Sequence, residues 1–389
     1  MSNTDVKEYP LQESKSIINR FSVNEFVKKL KTFDIISFDV FDTLILRTVN
    51  DPKDVFTILA VESGFNDFKS ARITAEKIAR EKMQASLNTR EIVINDIYDV
   101  LYERYGIEKK WMLREIEIEK EVCIANPYFF DIYNQLLQLN KRIIVMTDMY
   151  LPKTVITEIL SNCGYKTFYS IYVSNELKLC KGDGSLPKYI NENLIKGQRA
   201  IHIGDNYTAD IRRTRENGFQ TSYYPSVHEA SKPYQDVIDI NLGSIFYRGI
   251  LNNSIHTGLW NENIYYEHGF KVGGIITYGF CQYIERFCRR KVTDLILFCA
   301  RDCDIISKVY SKYFNSVESK YIAISRFAIF MATPERYLYD LLNRSIRKSV
   351  KESKNYDEIC VALKKIDLDY LLHYICLLYT SDAADDLTR

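Results

Sequence analysis

Two rhythms of apolar and polar residues alternate along this chain. Residues 35–44 read Ile-Ile-Ser-Phe-Asp-Val-Phe-Asp-Thr-Leu, an apolar run cut by Asp39, then a short polar turn and more apolar residues. A buried parallel strand delivering a carboxylate to the carboxyl edge of its sheet reads this way, and so does a core strand that ends in a turn-forming Asp. Ahead of it, 23–32 has the spacing of a short amphipathic helix, and 1–14 is polar and expected to be disordered. Asp51-Pro52-Lys53-Asp54 is a helix start, with Pro at the first position and an acid in the first turn. From there to about 140 nearly every stretch is helical, with apolar residues three and four apart over 71–84, 96–105 and 109–123, and a further helix opened by Pro127.

The rhythm then switches. Strands are predicted at 142–146, 170–173, 200–203 and 220–224, separated by helices beginning at Pro152, over 186–194 and over 208–217. Strands alternating with helices at this pitch argue a parallel, doubly wound α/β sheet. Past 240 come helices at 243–254 and 263–290, a strand at 294–299, a helix at 305–314 and a strand at 321–324. The expected organisation is an N-terminal segment with a leader helix (1–30), a Rossmann-like parallel sheet (31–240) with an all-helical cap inserted at 50–140, and a second α/β-like domain (241–375).

Composition narrows the function classes. The 389 residues are 46% hydrophobic and carry 52 Lys+Arg against 51 Asp+Glu, so full cores are available and a strongly basic nucleic-acid surface is not. The start of the chain has no signal-peptide pattern, and its most membrane-like run, 272–284, is too short to span a bilayer. Nine cysteines at irregular spacing, without a CxxC pair, read as buried thiols of a cytoplasmic protein. The stretch 376–389 resembles the translation of a transposon-type sequencing adapter, so the natural chain is expected to run on beyond about 375.

The predicted strand ends carry the candidate chemistry. In a parallel sheet the loops after each strand converge at one edge, bringing together Asp39, Thr147, Lys181, Asp205 and Asp210. Such a set suits phosphoryl transfer. Asp39 would attack phosphorus, and a divalent ion on Asp39 and Asp205 would screen the two anions. Thr147 and Lys181 would bind phosphoryl oxygens, with Lys181 also holding Asp39 charged.

These motifs, in this order, resemble the haloacid dehalogenase superfamily of aspartate-nucleophile hydrolases. The matching residues are Asp39 with Thr43 and Leu44; Met146-Thr147-Asp148; Lys181; and Gly204-Asp205 with Asp210, over about 33–225. The resemblance implies Mg²⁺ as cofactor, held by Asp39, the Phe41 carbonyl, Asp205 and Asp210. It implies a phosphate site of Thr43, Thr147, Asp148 and Lys181, and Arg47, just after the motif strand, is placed to reach toward the site entrance. It also implies a small phosphorylated metabolite or sugar as substrate, since a helical cap limits access. One position departs from the phosphatase pattern: the usual second aspartate, a general acid and base, is Phe41. Dehalogenases of the superfamily lack an acid there too, and a weakly active accessory module is a third reading. The signature Ser-Phe-Asp-Val-Phe-Asp-Thr-Leu, followed by Asp-Met-Tyr-Leu-Pro at 148–152, is similar to a bacterial subgroup found with polysaccharide and lipopolysaccharide biosynthesis proteins. That similarity implies glycosyltransferases or other assembly proteins as partners.

Other residues admit two readings each. Asp302-Cys303-Asp304 is either a metal-binding DxD or a helix cap. Arg301 and Arg326, at strand ends, bind an anionic ligand or form ordinary ion pairs. His202 reads as a packed core histidine, Tyr98, Tyr102 and Trp111 as core of the insert, and 114–121 as a solvated helix face.

Overall fold

The computed structural model describes residues 21–232, 241–257, 264–324 and 356–364, with isolated positions between 329 and 336. The expectations for 1–14, Arg326 and 376–389 concern residues outside these. The chain divides into two compact units, Met1–Lys271 and Val272–Arg389.

Helix α1 (Val23–Leu30) leads into the first unit. Ser22 and Glu25 cap it reciprocally, and Phe26, Val27 and Leu30 are its buried face. The chain then enters β1 (Ile35–Phe38), all four residues buried. Strand β1 runs into a bend at Asp42, whose φ of +58° is left-handed, a conformation that Asp tolerates. Next comes the three-residue strand β2 (Ile45–Arg47). Four helices follow: α2 (Val55–Ser63), α3 (Phe68–Leu87), α4 (Ile94–Tyr105) and α5 (Lys110–Val122). They end in β3 (Cys123–Ala125), which pairs antiparallel with β2, Ile45 opposite Ala125 and Arg47 opposite Cys123. The insert is therefore all-helical and joined to the sheet by a two-stranded ribbon. The sequence pattern missed this ribbon because three residues are too few to show a period.

After β3, α6 (Pro127–Gln138) starts at Asn126, whose side chain accepts from the Tyr128 amide, with Pro127 at the first helical position. Its Phe129, Ile132, Tyr133 and Leu136 are buried, and the Phe129 ring meets Phe38 edge-on at 5.6 Å. Then come β4 (Arg142–Thr147), α7 (Lys153–Asn162), β5 (Ser170–Val173), α8 (Ser174–Leu177), α9 (Ser185–Ile190) and β6 (Ala200–Gly204). A wide helical turn, Tyr207–Arg213, runs into α10 (Thr214–Glu216) and β7 (Gln220–Tyr223). The sheet order is β5-β4-β1-β6-β7 and every pairing is parallel. The expected α/β class with a parallel sheet is what the structure has, and β1 lies at its centre.

The first unit reaches past residue 240 because α12 belongs to it. After α11 (Val227–Ser231), α12 (Leu242–Ile255) packs its Gly249 on the chain leaving β2. A Cβ there would lie 2.2 Å from the Thr48 carbonyl oxygen, so the contact needs glycine. Asn253 Nδ2 donates to the Arg47 carbonyl at 2.8 Å. The short α13 (Ile264–His268) also precedes Lys271.

The second unit contains α14 (Gly274–Lys291), β8 (Leu295–Cys299), α15 (Asp304–Tyr313), β9 (Glu318–Ile322) and α16 (Tyr356–Lys364). Strands β8 and β9 pair in parallel, Leu295 opposite Glu318. That register starts β9 at Glu318, ahead of the apolar run at 321–324 that suggested it. Cys303 occupies the cap position of α15, and Asp304 is the first helical residue, 2.8 Å from Lys308 Nζ. An acid in the first turn favours the helix dipole, which accounts for Asp304 without a metal. Among the described residues, no helix is long and apolar enough to cross a membrane.

Candidate active site

Because β1, β4 and β6 are parallel neighbours, their carboxyl ends open into one cavity of about 550 Å³. Asp39, Thr147, Asp148, Lys181, Asp205 and Asp210 all line it. Asp39 directly follows β1, and its amide still donates to Ile203 of β6 at 2.9 Å, so the sheet itself fixes the carboxylate. Lys181 Nζ, fully buried, lies 2.5 Å from Asp39 Oδ1 and 2.5 Å from Asp210 Oδ1. The lysine is held from behind: both oxygens of Asp148 accept from the Lys181 amide, at 2.9 and 3.0 Å, and Asp148 Oδ2 accepts from Gly182 at 3.2 Å. The Asp148 carboxylate thus faces backbone donors and positions the loop, an arrangement other than contact with a phosphate.

Asp210 is the most heavily bonded member. Besides Lys181 it faces His202 Nε2 at 3.2 Å and accepts from the Asn206 amide at 2.9 Å. A Cβ on Gly204 would lie 2.4 Å from the Asp210 carboxyl, so glycine is required for that side chain to fold under the β6 end. Burial lowers the proton affinity of the His202 ring, and a neutral imidazole fits its partners: Nε2–H donates to Asp210 and Nδ1 accepts from Ser37 Oγ at 2.8 Å. His202 is the packed core histidine expected from the sequence, and it also braces Asp210.

The electrostatics are unbalanced. Oxygens of Asp39, Asp205 and Asp210 lie within 4.8 Å of one another, with Lys181 as the cation among them. Burial favours the neutral form of Asp210, but Lys181 and His202 outweigh it and hold the carboxyl well below the usual range. Burial disfavours the Lys181 charge too, yet Asp210 and Asp39 keep it protonated far above the ordinary lysine range. Burial pushes Asp39 up to about 7 against the pull of Lys181. Burial, reinforced by Asp39, Asp42 and Asp210, pushes Asp205 up to about 9. A carboxyl that its neighbours hold protonated at neutral pH fits a site completed by a divalent cation, for which three clustered carboxyls are suitable hard oxygen donors.

The remaining candidates are placed differently. Thr43 is fully buried outside the cavity lining, and its carbonyl accepts from Asn126 Nδ2 at 2.8 Å. Arg47 lines the cavity, but its guanidinium is engaged by Glu119 of α5, Nε at 2.9 Å and Nη2 at 3.2 Å, and covers the Phe41 ring at 4.3 Å. Asp42 also lines the cavity and faces His228 Nε2 of α11 at 3.0 Å. Burial raises Asp42, and the His228 contact more than reverses this, so it is an ionised carboxylate.

Several contributors escaped the sequence reading. Within 114–121, Glu115 and Glu119 are buried, not solvated, on one helical face with Ile118 and Val122. That i, i+3, i+4, i+7 stripe was the available signal, obscured by the charges between. Tyr102 is 60% exposed instead of core, while Tyr98 is buried as expected. Tyr150, in the loop after β4, accepts through its carbonyl from Ile94 of the insert at 3.0 Å. Its ring lies 4.8 Å from the Arg72 guanidinium of α3. The same loop therefore positions Lys181 through Asp148 and holds the insert through Tyr150.

No protein-family model matches the chain, and no curated protein matches it. Solved structures are similar to it. The putative HAD-hydrolase YfnB from Bacillus subtilis, bound to magnesium, is 22% identical over 55% of this chain and 97% of its own, with a TM-score of 0.38. The L-2-haloacid dehalogenase from Xanthobacter autotrophicus, with chloropropionic acid covalently bound, is 12% identical over 49% of this chain and 77% of its own, at 0.36. A HAD phosphatase from Thermococcus onnurineus is 13% identical over 49% of this chain and 85% of its own, at 0.35. These three solved structures are a putative HAD-hydrolase, a dehalogenase and a phosphatase.

Proposed function

We propose that this chain is a Mg²⁺-dependent hydrolase of the haloacid dehalogenase type that acts on a small phosphorylated metabolite or sugar through an aspartyl-phosphate on Asp39. The observation that carries the reading is the floor, where oxygens of Asp39, Asp205 and Asp210 lie within 4.8 Å of one another and Lys181 pairs with only Asp39 and Asp210. Asp39, Asp205 and Asp210 would hold the ion with the Phe41 carbonyl. When bound, it neutralises the phosphate and the nucleophile together and so lets two anions approach.

The protein groups then have defined tasks. Asp39, fixed by β1 and by Lys181, presents Oδ2 to phosphorus; the P–O bond to the leaving alcohol breaks as the Asp39–P bond forms. Lys181 and the Thr147 hydroxyl, both at the cavity floor, donate to the equatorial oxygens as their charge grows. Water then attacks phosphorus, releases phosphate and restores the Asp39 carboxylate. The leaving alkoxide takes its proton from solvent, since Phe41 has none to give, so turnover should fall about 10²–10⁴-fold short of an enzyme with an acid there.

The same Phe41 favours a second reading, displacement of halide from carbon by Asp39, which needs no proton for the leaving group. A screen of phosphorylated sugars and short haloacids, with Asp39→Asn as control, separates the two. Mg²⁺-dependent phosphate release that vanishes in the variant supports the phosphohydrolase; halide release without metal selects the dehalogenase. Absence of both activities, with no Mg²⁺ bound, contradicts each and leaves an accessory role beside glycosyltransferases of polysaccharide assembly.

A further inference from the structure

The floor accounts for one phosphoryl group, yet the wall of the cavity opposite it has a chemistry of its own. Helix α3 turns Ile73, Glu76, Lys77 and Arg80 toward the cavity, the i, i+3, i+4, i+7 spacing of a single helical face. Glu76 is neutralised twice: Oε1 accepts from Arg80 at 2.9 and 3.1 Å, and Oε2 accepts from Arg72 at 3.1 Å. Arg80 Nη1 also donates to the Arg90 carbonyl at 3.0 Å, which ties the loop before α4 to α3 and sets Arg90 on the same wall. Lys53, in the turn Pro52–Asp54 ahead of α2, completes it.

Charge is left over on this wall. Among the described residues, Lys53 and Arg90 have no carboxylate within ion-pair reach. Lys77 has only Glu81 at 4.0 Å, with both side chains exposed. An exposed pair of that kind holds its partners weakly. Three cations without a close carboxylate partner thus stand along one wall of the cavity, where an anionic group of a ligand would meet them. Lysine and arginine heads bind phosphate and carboxylate oxygens directly.

We propose that this wall is a subsite for a second anionic group, so that the substrate is a small phosphomonoester with another phosphate or a carboxylate at its far end. The inference rests on the hydrolase reading and narrows its substrate class. A cavity of about 550 Å³ has room for a metabolite with both ends engaged.

Binding can be measured without turnover. The full chain with Mg²⁺ is titrated calorimetrically with α,ω-alkane bisphosphonates, phosphonocarboxylates and alkyl monophosphonates of matched length, none of which can be hydrolysed. The expected result is about tenfold tighter binding of a doubly anionic ligand than of its monophosphonate, the scale of one or two partly exposed charge contacts. That advantage should disappear in Lys77→Gln/Arg90→Gln, whose affinity for the monophosphonate should be unchanged. The better of the two second anions identifies phosphate or carboxylate. Equal affinity for singly and doubly charged ligands, or an advantage that survives the double substitution, overturns the subsite. Lys53→Gln, on a surface turn, repeats the comparison should the double variant fail to fold. Hydrolysis persisting in Asp39→Asn would instead overturn the aspartyl-phosphate on Asp39 that the underlying reading requires, and the binding comparison would still decide the wall.

Discussion

Two buried charge clusters in the first unit differ in one respect. Inside the helical insert, Arg72 binds Glu115 through Nε and Nη2, both at 2.8 Å, and Glu76 through Nη1, which Arg80 shares. Tyr98 donates to Glu115 at 2.8 Å, and the Arg72 guanidinium lies between the Phe56 and Tyr150 rings at 4.6 and 4.8 Å. Two arginines meet two glutamates, and the cluster is balanced in charge. At the cavity floor, Lys181 stands among Asp39, Asp205 and Asp210, one cation to three carboxyls, and Asp205 keeps its proton because it has no cation of its own. Removing one partner from a balanced buried cluster strands a charge, whereas a cluster with unmatched carboxyls in a cleft is a candidate ligand site.

The largest expected effect lies on the floor and concerns activity. Asp39→Asn keeps the shape and removes the nucleophile, so turnover should drop by about 10⁴-fold or more, with circular dichroism unchanged. Next is the balanced cluster. Arg72→Met strands Glu115 without its cation and should cost about 3–5 kcal/mol in urea unfolding. On the floor the corresponding substitution has the opposite sign: Asp205→Asn should raise the melting temperature of the metal-free protein and remove the stabilisation by Mg²⁺. A fall in metal-free stability for Asp205→Asn would place both clusters in one class and break the comparison.

A smaller effect is the pH dependence. In the folded protein Asp39 and Asp205 keep their protons up to about 7 and about 9. The unfolded chain releases them near pH 4. Between roughly pH 4 and 9 the folded state therefore binds more protons, and metal-free stability should fall as pH rises through that window. Asp210, held low, works in the other sense and only below about pH 4. Melting curves in EDTA check the slope, and Mg²⁺ should flatten it.

The balanced cluster and the floor were also unequally legible. Three floor residues could be read because each follows or ends a strand visible as a short apolar run: Asp39 after 35–38, Thr147 at the end of 142–147, Asp205 after 200–204. Parallel topology then brings them together whatever lies between. Thr43 is expected at the phosphate site from the motif resemblance, and Arg47 at its entrance from its place just after the motif strand. Arg47 does line the cavity but is paired with Glu119, a partner far along the chain, and Thr43 is buried outside the lining. Such cross-chain pairings have no local signal. Glu115 and Glu119 were hidden for a related reason, since buried carboxylates among surface ones look solvated until Arg72 and Arg47 are placed beside them.

The central claim is that the floor is completed by a divalent cation. Calorimetric titration with Mg²⁺ at about pH 7.5, in buffers of different ionisation enthalpy, tests it most directly, because binding must displace the proton that Asp205 retains. The account predicts binding with release of at least about one proton per ion, abolished in Asp205→Asn. Failure to bind millimolar Mg²⁺, or binding with no proton released and no effect of that substitution, would contradict it.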